Sequence, residues 1–439
     1  MIYKVNPEGK FNLDSLKTHV CIFPYLQFQV YDDGGVEVCC RSWMRKEIGN
    51  FNTQTAEEVL SSPILEHIVK DMEEGKWSYC TDYCPNLVSF LSDQVRDVKQ
   101  PVNVLDNSVT KPEKMYINRN WKKAKLTEEK ITKYTTITSK TSPSWLKRKA
   151  KGDYVIIFNH DRSCNLQCPS CRNEFIHVLA SKDPEGFAKL TKVQKRIEDM
   201  VEILLKKEDA DTVALNITGS GDPFASDLYW NYLLELNEKV LLPEYSKLRI
   251  KLQTNGVLMT PERMEKIKNL WNKIEWISIS IDAMTVETYT KIRKRGNLES
   301  VMKNVHWLNE KVESLEIGSQ CIKRDDKDKI IEYMPWNVNF IVQSDNYKEM
   351  ADFAKYYAQY KTIYSVWFNP IADWGHLKLV ETDLFAKKAI WLKEHPEHEE
   401  FVRIIRDPIF DNEKMDVGSL AAFRLKPGLQ KVKNTINYT

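Results

Sequence analysis

Cys164-Asn-Leu-Gln-Cys168-Pro-Ser-Cys171 follows closely on the apolar run Tyr154-Val-Ile-Ile-Phe158. Three thiols spaced C-x3-C-x2-C share one short loop. Cysteine thiolates are the usual holders of iron–sulfur clusters, and a full cubane normally takes four of them. Three ligands on one loop therefore point to a [4Fe–4S] cluster with one iron left open to a ligand of its own. The competing reading, zinc, takes two or four ligands from paired C-x2-C knuckles.

Outward from this loop, residues 153–375 alternate strand-like and helix-like segments. The strand candidates are 154–158, 212–217, 248–253, 276–281, 337–343 and 364–368, short and apolar or β-branched as buried parallel strands are. Amphipathic stretches near 187–206, 227–239, 261–272, 298–312 and 347–360 separate them. Such alternation predicts right-handed βα units on a parallel sheet. A closed eight-fold barrel needs about 250 residues, so six units predict an open, partial (β/α)6 barrel. In such folds chemistry sits at the carboxyl ends of the strands, where the cysteine triplet falls.

Two more segments lie at that rim. Thr218-Gly219-Ser220-Gly221-Asp222-Pro223 ends the second strand, and Gln253-Thr254-Asn255-Gly256 ends the third. The fourth, Trp276-Ile-Ser278-Ile-Ser280-Ile-Asp282, alternates with period two, so Ser278, Ser280 and Asp282 share a face. Polar side chains against an apolar core would be costly, which predicts that this face lines a polar cavity. The sixth strand leads to Asn369-Pro370 and then Asp373-Trp374-Gly375-His376, where Trp374 is a candidate stacking residue.

Residues 1–100 read as a separate small α+β unit. Strands at 25–31 and 35–39 flank the turn Asp32-Asp33-Gly34-Gly35, and a helix follows near 55–73, capped by Thr53 or Thr55. Cys21, Cys39, Cys80 and Cys84 form a second metal-type set, with Cys40 adjacent to Cys39. Strand alternation turns Cys39 inward and Cys40 away. Residues 101–152 are a connector in which Lys111 to Gly152 carry 13 Lys/Arg against 3 Glu. A solvated linker is the ordinary reading; phosphate or nucleic acid is the alternative. Residues 376–439 read as a helical extension.

The triplet, with Asn-Leu after its first cysteine, resembles the radical S-adenosylmethionine (SAM) superfamily over about 153–375. The resemblance implies that Cys164, Cys168 and Cys171 hold three irons while the fourth chelates SAM. One-electron reduction then releases a 5′-deoxyadenosyl radical, with flavodoxin or ferredoxin as electron donor. Gly219, Ser220, Gly221 and Asp222 stand where the family carries Gly-Gly-Glu-Pro for the SAM amino group. Ser280 and Asp282 would bind the SAM carboxylate or ribose, Arg293 the carboxylate, and Trp374 the adenine or substrate. Ser170 departs from the aromatic residue usual before the third cysteine. The amino-terminal spacing resembles SPASM and twitch domains, which implies an auxiliary [4Fe–4S] cluster on Cys21, Cys39, Cys80 and Cys84; zinc on the same thiolates is the alternative. Cys321 is the candidate hydrogen-atom donor, since some radical epimerases use such a thiol. A lone buried cysteine is ordinarily a small hydrophobe.

Charge excludes little: Lys+Arg is 64 and Asp+Glu 62 over 439 residues. No apolar run approaches the roughly 20 residues of a membrane helix, and the first residues lack a charged head before an apolar stretch. A cytoplasmic, membrane-free protein is expected, its nine cysteines serving as ligands rather than disulfides. Expected substrates are, in order, a peptide or protein side chain, a sugar or nucleotide-linked small molecule, and RNA. A non-enzymatic metal-binding protein is the last reading, because it has no need of an open three-cysteine site.

Overall fold

The computed structural model describes residues 14–44, 46–81, 84, 86–87, 136–141, 146, 152–172, 174–321, 323–324, 330–332, 335–372 and 384–424. Its first strands are β1 (His19–Cys21), β2 (Gln27–Tyr31), β3 (Gly35–Glu37), β4 (Gly49–Asn50) and β5 (Ile137–Ser139). The central ones are β6 (Gly152–Asn159), β7 (Ala210–Ile217), β8 (Leu248–Thr254) and β9 (Ile274–Ser280). After a small hairpin of β10 (Lys323–Arg324) and β11 (Ile330–Glu332) come β12 (Trp336–Val342), β13 (Ser365–Pro370) and β14 (Met415–Asp416).

One ten-stranded sheet in the order β14-β13-β12-β9-β8-β7-β6-β2-β3-β4 organises the chain. From β14 to β2 every neighbouring pair is parallel; the β2–β3 and β3–β4 pairs are antiparallel, so β3 alone runs against the rest. This is an α/β fold on a mostly parallel, open sheet, and each of the six expected strands is present.

The two faces of the sheet differ in chemistry because side chains alternate. Val213, Leu215, Ile217, Ile250, Leu252, Ile277, Ile279, Val338, Phe340, Val366 and Phe368 point to one side and are fully buried in the main core. Helices cover them. Pro184–Lys206 buries Leu190, Val193, Ile197, Met200, Val201 and Leu204, the three-to-four spacing of a helix with one apolar stripe. Side chains at the starts of helices fix their register: Asp183, Ser226, Thr285 and Asn297 each accept a backbone N–H from the first turn.

Three expectations need correction. The amino-terminal unit is not a free-standing sheet, because β2 pairs in parallel with β6 from Gln27↔Val155 to Tyr31↔Asn159. Its hairpin extends the main sheet, and Phe28, Val30, Val36 and Phe51 join the main core. The helix expected over 55–73 is two, Ala56–Leu60 and Pro63–Glu73. Pro63 has no N–H to continue a helix, and Ser62 caps a new one. The carboxyl-terminal extension is not purely helical, since β14 adds a parallel edge strand to β13 through Val366↔Met415 and Trp367↔Asp416. Most of the basic connector lies outside the described residues. Among the described residues no helix is long and apolar enough to cross a membrane.

Candidate active site

The cysteine loop starts where β6 ends, and buried hydrogen bonds pin its approach. His160 Nε2–H donates to Gln194 Oε1 at 3.0 Å, and the Asp161 N–H donates to the Tyr229 hydroxyl at 2.8 Å. The Asp161 carboxylate accepts from the Ser163 N–H and the Ser226 hydroxyl. Burial pushes His160 down to about 3, so it is a neutral brace and not a base.

Each cysteine sulfur of the loop is met by an N–H donor. Cys164 Sγ lies 3.4 Å from the Leu166 N–H and 3.6 Å from Asn255 Nδ2; Cys168 Sγ lies 3.7 Å from Arg293 Nη1; Cys171 Sγ lies 3.6 Å from Arg172 Nη2. Cys164 and Cys168 are buried and Cys171 is exposed. Burial, with Asp222 acting in the same direction, pushes the Cys164 thiol up to about 12; burial also raises Cys168, against Arg293. A metal binds the thiolate. The N–H donors therefore point where negative charge would develop.

The donor set fits an iron–sulfur cubane better than zinc. Among the described residues no group of three or more His, Cys, Asp or Glu is gathered to hold a single metal ion. Zinc requires its four donors about 2.0–2.3 Å from one point. A cubane meets each thiolate with a different iron and needs no such convergence. All nine cysteines are described, and none of the other six belongs to this loop. The loop has three thiols and no fourth.

The rim segments close around the loop. Gly221 sits so near it that an added Cβ would lie 2.6 Å from both Asp161 O and Ser163 O. Two backbone carbonyls cannot swing aside as side chains do. Gly221→Ala is expected to displace the cysteine loop and lower iron per chain after reconstitution, with all three thiols intact; iron assay and circular dichroism check this. Gly219 donates its N–H to Phe158 O, and the Ser220 hydroxyl donates to Asn159 O. The Asp222 carboxylate is fully buried and accepts from the Phe224 N–H, the Thr254 hydroxyl and the Asn255 N–H at 2.8–3.0 Å. Its oxygens are thus used in tying the β7 and β8 loops together.

Asp282 and Arg293 come together, with each other as principal partners. Arg293 Nη2 lies 2.6 Å from Asp282 Oδ2, and the Ile341 N–H donates to Asp282 Oδ1 at 2.8 Å. Burial raises the Asp282 carboxyl and Arg293 opposes it. Arg293 Nε is buried with no partner among the described residues. Ser278 and Ser280 lie on the sheet face opposite the core, as the alternation predicts. The polar row continues across β12 and β13: Asn337 stands between Ser278 and Ser365, and Asn339 between Ser280 and Trp367. Asn339 Nδ2 donates to the Ser278 hydroxyl at 2.6 Å. Asn216 Oδ1, Asn337 Oδ1 and Ser365 Oγ are buried there without a partner among the described residues, and the Trp276 and Trp367 rings lie 5.3 Å apart.

Sequence reasoning missed Asn337, Asn339 and Arg172. Trp336-Asn-Val-Asn-Phe has the same period-two polar pattern as β9, and that signal was available. Arg172 follows Cys171 directly, a cation beside a thiolate.

Two other sites differ in standing. Cys21, Cys39, Cys80 and Cys84 line one small cavity with Met72, Trp77, Leu87 and Ile137. Cys40 is not among the lining residues, but β3 ends at Glu37, so the expected strand does not reach Cys39 and strand alternation does not set its direction. Cys21 precedes β2, and Cys39 follows β3, which runs antiparallel to it. The cavity is therefore at the amino ends of the parallel strands, opposite the cysteine triplet. Cys321 is at that far end too: its Sγ lies 3.8 Å from the carbonyl of Ile274, the first residue of β9. A seven-residue strand is about 20 Å long, which withdraws Cys321 from a donor role beside the triplet. Trp374 lies outside the described residues, as do Asp373 and His376.

Residues 158–333 match the family model described as the Radical SAM superfamily. GTP 3′,8-cyclase of Clostridium perfringens is 25% identical over 185 residues, 41% of this chain and 50% of that protein. The Petrotoga mobilis GTP 3′,8-cyclase is 25% identical over 224 residues, 46% and 62% of the two chains. A 7-carboxy-7-deazaguanine synthase of Hyperthermus butylicus is 29% identical over 118 residues, 27% and 42%. The chain thus spans about half the length of the curated relatives it matches. Among solved structures, Streptococcus suis SuiB bound to S-adenosylmethionine overlaps 61% of this chain and 51% of its own, at 14% identity and TM-score 0.36. The protein anSMEcpe with bound AdoMet and Cp18Cys peptide overlaps 60% and 62%, at 16% identity and TM-score 0.34.

Proposed function

We propose, for a chain whose residues 158–333 match the radical SAM family model, that the protein is an enzyme cleaving SAM reductively to activate a C–H bond of its substrate. The observation that carries this is the rim loop of three thiols, each with its own N–H donor and no fourth cysteine. The chemistry supplied when a [4Fe–4S] cluster and SAM are bound is one-electron cleavage of SAM to methionine and a 5′-deoxyadenosyl radical, which takes a hydrogen atom from substrate.

The chain's own residues bind and orient. Cys164, Cys168 and Cys171 would hold three irons. Arg293, with Nε free of partners among the described residues, and Ser280 would receive the SAM carboxylate or ribose. The Gly219–Ser220–Gly221 backbone would border the SAM amino group, with Asp222 acting as the tie that shapes it and Asp282 holding Arg293. Trp374 would stack on adenine or substrate. Cys21, Cys39, Cys80 and Cys84 would hold an auxiliary [4Fe–4S] cluster in a unit of twitch or SPASM type. A reduced flavodoxin or ferredoxin in the cytoplasm would supply the electron.

Two substrate readings stand. A peptide or protein side chain follows from the resemblance of the upstream cysteines to SPASM and twitch domains. A nucleotide-linked small molecule is favoured by the curated relatives, named for GTP and 7-deazaguanine chemistry, and by the amide- and hydroxyl-lined sheet face under Trp276 and Trp367. The test is anaerobic reconstitution followed by incubation with SAM and dithionite. 5′-Deoxyadenosine is expected; a protein with a full cluster that forms none overturns the proposal. Deuterium transfer from labelled nucleotides or peptides into 5′-deoxyadenosine separates the two readings.

A further inference from the structure

The three sulfurs differ in what reaches them, and every side chain that reaches them is itself held. Arg172 Nη1 donates to Arg162 O at 2.7 Å while Nη2 donates to Ser220 O at 2.8 Å and lies 3.6 Å from Cys171 Sγ. Arg293 is held by Asp282 at 2.6 Å, and Asn255 Nδ2 by Asn165 Oδ1 at 2.8 Å. Arg172 is buried, and the Arg293 side chain is 13% exposed. None of these donors can swing into water without giving up a second, part-buried hydrogen bond or, for Arg293, its ion pair with Asp282.

We infer that Arg172, Arg293 and Asn255 form an electrostatic collar that sets the reduction potential of a cluster held by Cys164, Cys168 and Cys171. The inference rests on the radical SAM reading above. Adding an electron increases the negative charge on the cluster and its thiolates. N–H donors and cations at the sulfurs stabilise that reduced form, and hydrogen bonding and net charge are among the main determinants of cluster potential. Low local dielectric magnifies the effect at Cys164 and Cys168. The collar is not uniform. Arg293 shares its charge with Asp282, and Asn255 brings only a neutral dipole. Among the described residues Arg172 binds two carbonyls and no carboxylate, so its charge is not shared with an acid.

These are positioning residues, and the discriminating readout is a potential. The full-length protein carrying Cys80→Ala and Cys84→Ala, reconstituted anaerobically without SAM, is titrated with dithionite while the reduced triplet cluster is followed by electron paramagnetic resonance. Arg172→Met is expected to shift the midpoint to lower potential at unchanged iron content, and Arg172→Lys to restore part of the shift by returning the charge. Asn255→Ala should move it in the same direction by less. Should Arg172→Met fail to retain iron, Arg172→Gln, which removes the charge but keeps N–H donors, is compared with Asn255→Ala to rank the cation against the dipole. Unchanged midpoints in variants with full clusters overturn the collar while leaving the radical SAM reading intact. Failure of the unaltered protein to bind triplet-dependent iron overturns both.

Discussion

Replacing Cys164, Cys168 or Cys171 by alanine is expected to bring 5′-deoxyadenosine formation down to background, each on its own. The loop has no spare thiol. The remaining cysteines lie elsewhere: Cys321 beneath the start of β9, and the amino-terminal set at the amino ends of the strands. The fold should survive the change. Cys164, Leu166 and Cys168 form a small cluster of their own, apart from the main core that holds the sheet and helices. Circular dichroism is therefore expected to be unchanged while iron and SAM cleavage fall together. A single variant that keeps full cleavage with a reconstituted cluster would show the site to be wrongly assigned.

The paired change Cys80→Ala and Cys84→Ala is expected to remove about four irons per chain, one cubane, and to leave SAM cleavage detectable. Cys21, Cys39, Cys80 and Cys84 line one cavity; burial raises each thiol, and Cys39, Cys80 and Cys84 each add to the rise at another of the four. Such a nest of buried thiols is costly to charge unless metal neutralises it. The nest sits at the opposite end of the strands from the triplet, so its loss should not disturb SAM binding directly. Met72, Trp77, Leu87 and Ile137 pack around it in a separate small core, and local loosening there is the expected side effect. Iron content equal to that of the unaltered protein would disprove the auxiliary cluster, and zinc in its place would redirect the assignment.

Much of the fold was legible because its signal is local. A period of two in Trp276-Ile-Ser-Ile-Ser-Ile separates a polar face from an apolar one without knowledge of any neighbour. The capping box at Thr55, closed by Glu58, is likewise written within four residues. What could not be read is pairing across distance. Nothing in Gln27–Tyr31 announces that its parallel neighbour is Val155–Asn159, about 130 residues on. A hairpin turn specifies one partner strand and is silent about the other edge. The site divides the same way. The polar face of β9 followed from alternation, whereas Cys39, beyond the end of β3, takes its place from a loop, and Cys321 looked free to act until the sheet placed it beneath the start of β9.

The sequence alone determined the chemistry on offer: three thiols at a strand's carboxyl end, six strands to carry them, and a polar stripe facing them. Those are properties of residue type and short-range spacing, which survive without a third dimension. Only the tertiary structure decided how that chemistry is arranged. Asp222 and Asp282, equivalent on paper as ligand-binding acids, are respectively a tie between two loops and the partner of Arg293. Arg172, Asn255 and Arg293, drawn from three separate loops, each found a different sulfur. The reason is that a buried polar group must be satisfied by whatever packing brings beside it, and packing is settled by the whole chain at once.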